Sequence, residues 1–320
     1  MTATTAEKMT ETPSNRLGDR IFSGLALAAG LSILVALTGV FAFLLIRGWQ
    51  GLSQDASFYD APRANDFLHY VWPLVFGTVY AAVIALVIAV PLSIGIALVI
   101  SHYAPRRLAT PIAYVIDLLA AVPSVVFGLW GILVFAPAMV PTYGWLDDHL
   151  GFIPLFAGNE GGGVNPVGRT ILTAGIVLAI MVLPIITSIT REIFAQTPRL
   201  HQEAALALGA TRWEMIRYAV FPYARSGMVS AVMLGLGRAL GETMAVAMVL
   251  SAGKSLVTFN LLGNESSTTI AANIASNYKE GTPGKVAVLI ATGLVLFVLT
   301  FVVNFLARLI VARAERNTTR

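Results

Sequence analysis

Residues 191–250 read REIFAQTPRLHQEAALALGATRWEMIRYAVFPYARSGMVSAVMLGLGRALGETMAVAMVL. The first half is polar and punctuated; the second is an apolar run that carries Arg238 and Glu242. Thr197-Pro198 reads as an N-cap with proline at the first helical position, where its missing N–H costs nothing. Good helix formers follow through Glu203-Ala204-Ala205-Leu206-Ala207-Leu208, and Gly209 supplies a left-handed stop. Thr211-Arg212-Trp213-Glu214 has the spacing of a capping box and starts a second helix, which Pro222 ends or kinks. Ala204, Ala205 and Ala207 form a small-residue face that another surface can approach closely. Trp213, Ile216 and Val220 can anchor the second helix on the body of the protein. A plain solvated link between two other elements is the simpler alternative. Two capped helices with a glycine hinge exceed what a link requires, so this stretch is expected to dock a partner.

The rest of the chain sets that stretch in a membrane. Of 320 residues, 57% are hydrophobic and 12% charged, whereas a soluble domain is about one quarter charged. Apolar runs at 21–46, 71–100, 109–135, 168–190, 226–250 and 285–307 each approach or exceed the ~20 residues that cross a bilayer. The expected fold is therefore all-α with six transmembrane helices. The third run is broken at Pro123-Ser124 and the fourth is interrupted by Pro184. Polar loops are expected at 48–70, 101–108, 136–167, 191–225 and 251–284, and a short interfacial helix at 15–23. The first run is too long for a signal-peptide core and lacks a small-residue cleavage site. The chain divides into a tail at 1–20, a first helix with its loop at 21–70, a main membrane domain at 71–307 and a tail at 308–320.

Charge placement orients the chain. Fourteen of the 21 Lys and Arg residues lie in the termini, the 101–108 loop and the 191–225 loop, and six lie on the opposite side. By the positive-inside rule both termini and the 191–225 loop are cytoplasmic, in a multi-pass plasma or inner-membrane protein. The net charge of +4 is scattered through short loops, so no nucleic-acid partner is expected; membrane lipid is. The absence of cysteine excludes disulfides, thiolate metal sites and thiol nucleophiles. His69, His102, His149 and His201 lie far apart in sequence, and none forms a metal-ligand pair at helical spacing. No catalytic residue, metal or cofactor is expected. Gly253-Lys254-Ser255 imitates the end of a phosphate-binding loop, but the first glycine of that motif falls at Met248 and no strand precedes it. The chain is therefore not expected to hydrolyse nucleotide itself, and energy is expected to come from a partner.

Arg238 and Glu242 stand one helical turn apart and are expected to share a face and pair. Each charge at bilayer centre costs about 2.5–3.5 kcal/mol on insertion scales. An ion pair that fixes helix packing is one reading. The other is a pathway in which Arg238 meets an anion while Glu242 tempers its charge, or accepts a hydrogen bond from a protonated oxyanion. Gly235, Gly237 and Gly241 would keep that face thin for close helix approach. Ser124, next to Pro123, and Thr187, close to Pro184, Ser188 and Thr190, are broken or polar points at membrane depth. Such points are tolerated where they line a cavity, although an ordinary proline kink gives the same pattern. The expected substrate-path residues are thus Arg238, Glu242, Ser124 and Thr187. Asp117 can reach the interface or pair with an arginine.

Glu203-Ala204-Ala205, then Gly209, then Ala219-Val220-Phe221-Pro222 at the same spacing resemble the EAA loop of binding-protein-dependent ABC import permeases. The departures are Ala219 and Phe221, where isoleucine and leucine are usual. The resemblance implies that Glu203, Ala204, Ala205, Gly209 and Pro222 couple the chain to a cytoplasmic ATPase. Val122 to Gly131 and Gly235 to Val246 are similar to segments of phosphate ABC permeases in particular. That likeness implies a type I importer (MetI-like) core of five helices plus one flanking N-terminal helix, with inorganic phosphate as substrate. It also implies a PstA-like permease partner, two PstB-like ATPase subunits, a PstS-like phosphate-binding protein outside, and regulatory contact with PhoU and a sensor kinase. Within the class, sulfate or molybdate is the rival substrate. From other classes, a six-span channel would not need the docking loop, and a signalling scaffold would make transport incidental.

Overall fold

The computed structural model describes residues 16–59, 64–158, 163–250, 257–263 and 268–316. Most of the N-terminal tail, Asp60, Pro62, Arg63, Glu160 with Gly161 and Gly162, the Gly253-Lys254-Ser255 look-alike and the last four residues lie outside them. Among the described residues all regular structure is helical: α1 Arg16–Leu52, α2 Phe67–Leu98, α3 Arg106–Ala121, α4 Ser124–Trp130, α5 Ala136–Leu150, α6 Ile171–Ala195, α7 Arg199–Ala207, α8 Arg212–Met215, α9 Phe221–Gly241, α10 Met244–Val249, α11 Ile270–Asn277 and α12 Pro283–Arg316. Wide π-helical turns at Val99–Tyr103, Gly131–Phe135 and Ile216–Val220 extend α2, join α4 to α5 and join α8 to α9. Six helical stretches are long and apolar enough to cross a membrane: Gly18–Leu52, Phe67–Tyr103, Ser124–Leu150, Ile171–Ala195, Arg212–Gly241 and Pro283–Leu309.

α6 is the central post, packed between α2 and α9. In lipid, apolar side chains gain little by leaving the solvent, so helices associate through close packing and occasional polar ties. α2 supplies small residues at helical spacing, Ala81, Ala85 and Ala89, to the core that holds Val177, Leu178, Met181 and Val182 of α6. The Ser93 hydroxyl of α2 donates to the Leu183 carbonyl of α6 at 3.0 Å. That carbonyl adjoins Pro184, yet α6 runs unbroken through the proline, so the expected interruption is absent. α1 packs along α12 and is otherwise exposed, which suits a flanking helix.

Several boundaries differ from the sequence reading. The expected break at Pro123-Ser124 falls one residue earlier, at Val122-Pro123, with both residues extended. The chain does not become a loop at residue 136, however: the π-helical turn Gly131–Phe135 runs straight into α5 and makes room for Pro137, and helix continues through Pro141 to Leu150. The expected separate helix at 15–23 is simply the start of α1, and the region after 307 stays helical to Arg316. The fifth apolar run is not one helix to residue 250. Its helix begins at Arg212 and ends at Gly241, and a new short helix starts at Met244.

Candidate functional site

The stretch 191–225 builds one end of the site. α7 has no buried residue. Glu203, Ala204 and Ala207 are exposed, while Ala205 packs against a cluster of Phe194, Met215, Ile216, Val220 and Ala224. Leu208, at its C-terminal end, is 90% exposed. The helix ends in a Schellman arrangement: Ala210 N–H donates to Ala205 C=O at 3.2 Å and Gly209 N–H to Leu206 C=O at 3.0 Å. Gly209 has φ 88°, a conformation that costs a side-chain-bearing residue about 1–2 kcal/mol. The capping box is complete, with Thr211 N–H donating to Glu214 Oε2 at 2.7 Å and Glu214 N–H to Thr211 Oγ1 at 3.3 Å.

Two local expectations fail there. Thr197 is not an N-cap: α7 starts at Arg199 behind Pro198, and no side chain caps it. The Thr197 hydroxyl is instead buried without a partner. Trp213 is half exposed rather than anchored, its ring edge-on to Phe221 at 6.2 Å, while Ile216 and Val220 are buried as expected. Pro222 does not end the helix. Phe221 N–H reaches back five residues to Ile216 C=O, and this widened turn makes room for the proline ring at the start of α9.

The other end of the site lies at the junction of α9 and α10. Arg238 is partly buried, and its Nε is enclosed without a hydrogen-bond partner. The expected pair with Glu242 is not formed. α9 ends at Gly241 and Glu242 is extended, with φ −68° and ψ 126°, so the one-turn spacing no longer puts the two side chains on a common face. The Glu242 carboxylate turns to the next helix and accepts from Ala245 N–H at 3.3 Å. Helix N-termini have free N–H groups, and a carboxylate placed there satisfies one and meets the favourable end of the dipole. Thr243 hydroxyl donates to Gly241 C=O at 3.1 Å across the same break.

Ser124 is partly buried as the first residue of α4, which packs on α10. Their contact is tight: a Cβ on Gly128 would come within 2.9 Å of Ala245 Cα. Thr187, by contrast, is fully buried in α6 and its hydroxyl has no partner, so the structure does not bring it to an open face with Arg238. Of the three glycines, only Gly235 makes a close approach, with the space for its Cβ taken by Val182 and Ile186. Gly237 and Gly241 meet nothing.

One feature was not singled out from sequence. Ser226, Ser230, Leu234, Gly237 and Gly241 form one exposed stripe along α9, and Arg238 flanks it. Their 4-4-3-4 spacing is helical and was legible. Asp117, one of whose expected options was an arginine partner, forms an ion pair with Arg191 at 3.3 Å that ties α3 to the end of α6 leading into α7. No cluster of metal-ligating side chains occurs among the described residues.

An exposed helix pair that runs into a broken membrane-length helix is the arrangement expected of a membrane transport subunit. The chain matches the model of the binding-protein-dependent transport system inner membrane component family over residues 89–316, and it belongs to that family. It is 46% identical over 302 residues to the phosphate transport system permease protein PstC 2 of Mycobacterium tuberculosis, covering 92% of each chain. It is 41% identical over 326 residues to PstC of Xylella fastidiosa, covering 99% of each. A bacterial ABC transporter that imports the acidic polysaccharide alginate has the same fold, at a TM-score of 0.57 and 16% identity over 93% of this chain and 99% of that one. The protein is thus a multi-pass inner-membrane component of a binding-protein-dependent transport system, a permease subunit rather than an enzyme.

Proposed function

We propose that the chain is one half of the membrane pathway of a phosphate importer. The observation that carries this reading is Arg238: a partly buried guanidinium whose enclosed Nε has no hydrogen-bond partner and which has no carboxylate partner among the described residues. Such a group needs an acceptor from outside the chain, because a buried charged donor left unpaired costs several times what an ordinary hydrogen bond contributes. The exposed stripe of small residues beside it gives a second permease, PstA-like in this proposal, a surface to close the pathway against. The names of the relatives point to phosphate as the anion.

In this reading Ser124 lines the path near Arg238, Glu242 sets the start of α10, and Thr187 supports from the core. Glu203, Ala204, Ala205 and Gly209, with Pro222 behind them, grip a PstB-like ATPase, two copies of which serve the pair of permeases. A PstS-like binding protein delivers phosphate on the far side, and PhoU makes the regulatory contact. The termini and α7 are cytoplasmic, with 1–20 and 308–320 flanking a membrane body of 21–70 and 71–307. Uptake of labelled phosphate, sulfate and molybdate by vesicles holding the whole importer tests the reading. Phosphate is taken up with ATP and the other two are not; sulfate or molybdate uptake in preference to phosphate overturns the substrate, and uptake without the ATPase overturns the class.

A further inference from the structure

Two arginines among the described residues have an Nε that is buried and bonded to nothing: Arg238 and Arg169. Arg169 directly precedes Thr170, the N-cap of α6. Its backbone is clamped by one side chain. Asn165 Oδ1 accepts from Arg169 N–H at 3.3 Å, and Asn165 Nδ2 donates to the Arg169 carbonyl at 3.2 Å. The guanidinium reaches across to α10, where Nη2 donates to the Leu250 carbonyl at 3.1 Å. One of its five N–H donors is thereby used.

No carboxylate among the described residues is paired with it; Asp66 pairs with His69 and Asp117 with Arg191. Asp147, on the same side of the fold, accepts from Gly158 N–H at 2.7 Å instead. A guanidinium does not lose its proton in a protein, and the N-terminal end of α6 adds the positive pole of a 25-residue helix to the same place. α10 links the two unpaired cations. Glu242 caps its first turn, immediately after the helix that holds Arg238, and Arg169 holds the carbonyl of Leu250, the residue that follows α10. Six residues of helix span only about 9 Å. The coupling helix α7 follows the opposite end of α6, so Arg169 stands on the membrane face away from the ATPase.

We propose that Arg169 is a second anion-binding residue of the pathway, holding a tetrahedral oxyanion at the end remote from the coupling helix before it reaches Arg238. The proposal rests on the reading of Arg238 as a pathway residue. Two successive sites of moderate depth let an anion enter and still leave, where one deep site would trap it. The competing role for Arg169 is a purely structural tie to Leu250, and charge separates the two.

The chain has no cysteine, so Arg169→Cys introduces the subunit's single thiol. The complete importer carrying it is reconstituted beside Arg169→Gln, Arg169→Lys and Arg238→Gln, with an unsubstituted complex as the control for thiols of the partners. Initial uptake of labelled inorganic phosphate is measured before and after treatment with a cationic aminoethyl or a neutral methyl methanethiosulfonate. Arg169→Gln is expected to assemble and to lose about tenfold in uptake at low phosphate, the effect of one charge-assisted contact. Arg169→Lys keeps most of the rate, and the aminoethyl group restores Arg169→Cys whereas the methyl group does not. Equal behaviour of the two reagents, or failure of both Arg169→Gln and Arg169→Cys to assemble, assigns Arg169 to the fold and overturns the proposal. Normal uptake by Arg169→Gln with loss in Arg238→Gln overturns it while leaving the pathway reading intact. Normal uptake by both removes the pathway reading as well.

Discussion

At the scale of single residues, the decisive change is the separation of Arg238 from Glu242. Spacing of four along an apolar run reads as a shared face, and nothing local announces that the helix stops at Gly241. With Glu242 accepting from Ala245 N–H, its carboxylate acts as a helix cap and Arg238 is left without it as a counter-ion. Glu242→Gln keeps an acceptor and is expected to leave the thermal unfolding of the purified complex close to wild type. Glu242→Ala removes it and lowers stability by about 1 kcal/mol, the usual cost of a lost cap. Equal, large losses in both variants would restore the counter-ion role. Gly235 gives a second prediction. Val182 and Ile186 occupy the space of its Cβ, so Gly235→Leu forces α9 from α6 at a cost of roughly 1–3 kcal/mol, seen as lower yield and melting temperature of the complex. An unchanged melting temperature would mean that the α6–α9 contact is looser than described.

At the scale of elements, what was legible was what chemistry within a few residues decides. Gly209 and the Thr211–Glu214 box each specify their turn through hydrogen bonds that span three to five residues, and both formed as read. Boundaries set by tertiary packing were not legible. Pro137 and Pro141 look like loop residues, yet α5 accommodates both. Pro222 looks like a terminator, yet the π-helical turn before it carries the helix onward. Thr187 looks like a pathway residue, yet packing buries it completely. The exposed face of α7 carries its own prediction: Glu203→Arg leaves the subunit in the membrane and reduces both co-purifying ATPase and phosphate uptake by about tenfold or more, since one reversed charge in an interface costs a few kcal/mol. Full uptake by that variant would remove α7 from the coupling role. Thr211→Ala, which removes the hydroxyl half of the capping box, is expected to weaken ATPase binding more mildly, by about 1 kcal/mol; unchanged binding would show that α8 is held by packing alone.

At the scale of the whole molecule, α6 connects the two working ends. Its C-terminus leads through Pro198 into α7, its middle packs on α9 below Arg238, and its N-terminus lies against α10. The Arg191–Asp117 pair ties the same helix to α3, whose far end is the extended break at Val122-Pro123 beside α4. A push on α7 therefore has a rigid helical route to the place where the unpaired guanidinium sits. The central claim is that these ends are separable functions of one lever. The measurement that tests it most directly is ATP hydrolysis and phosphate uptake recorded together in vesicles holding the complete importer with Arg238→Gln. Continued hydrolysis with phosphate uptake reduced at least about tenfold, for an assembled complex, is the predicted result. Wild-type uptake by Arg238→Gln, or loss of uptake only in proportion to lost assembly, would contradict it.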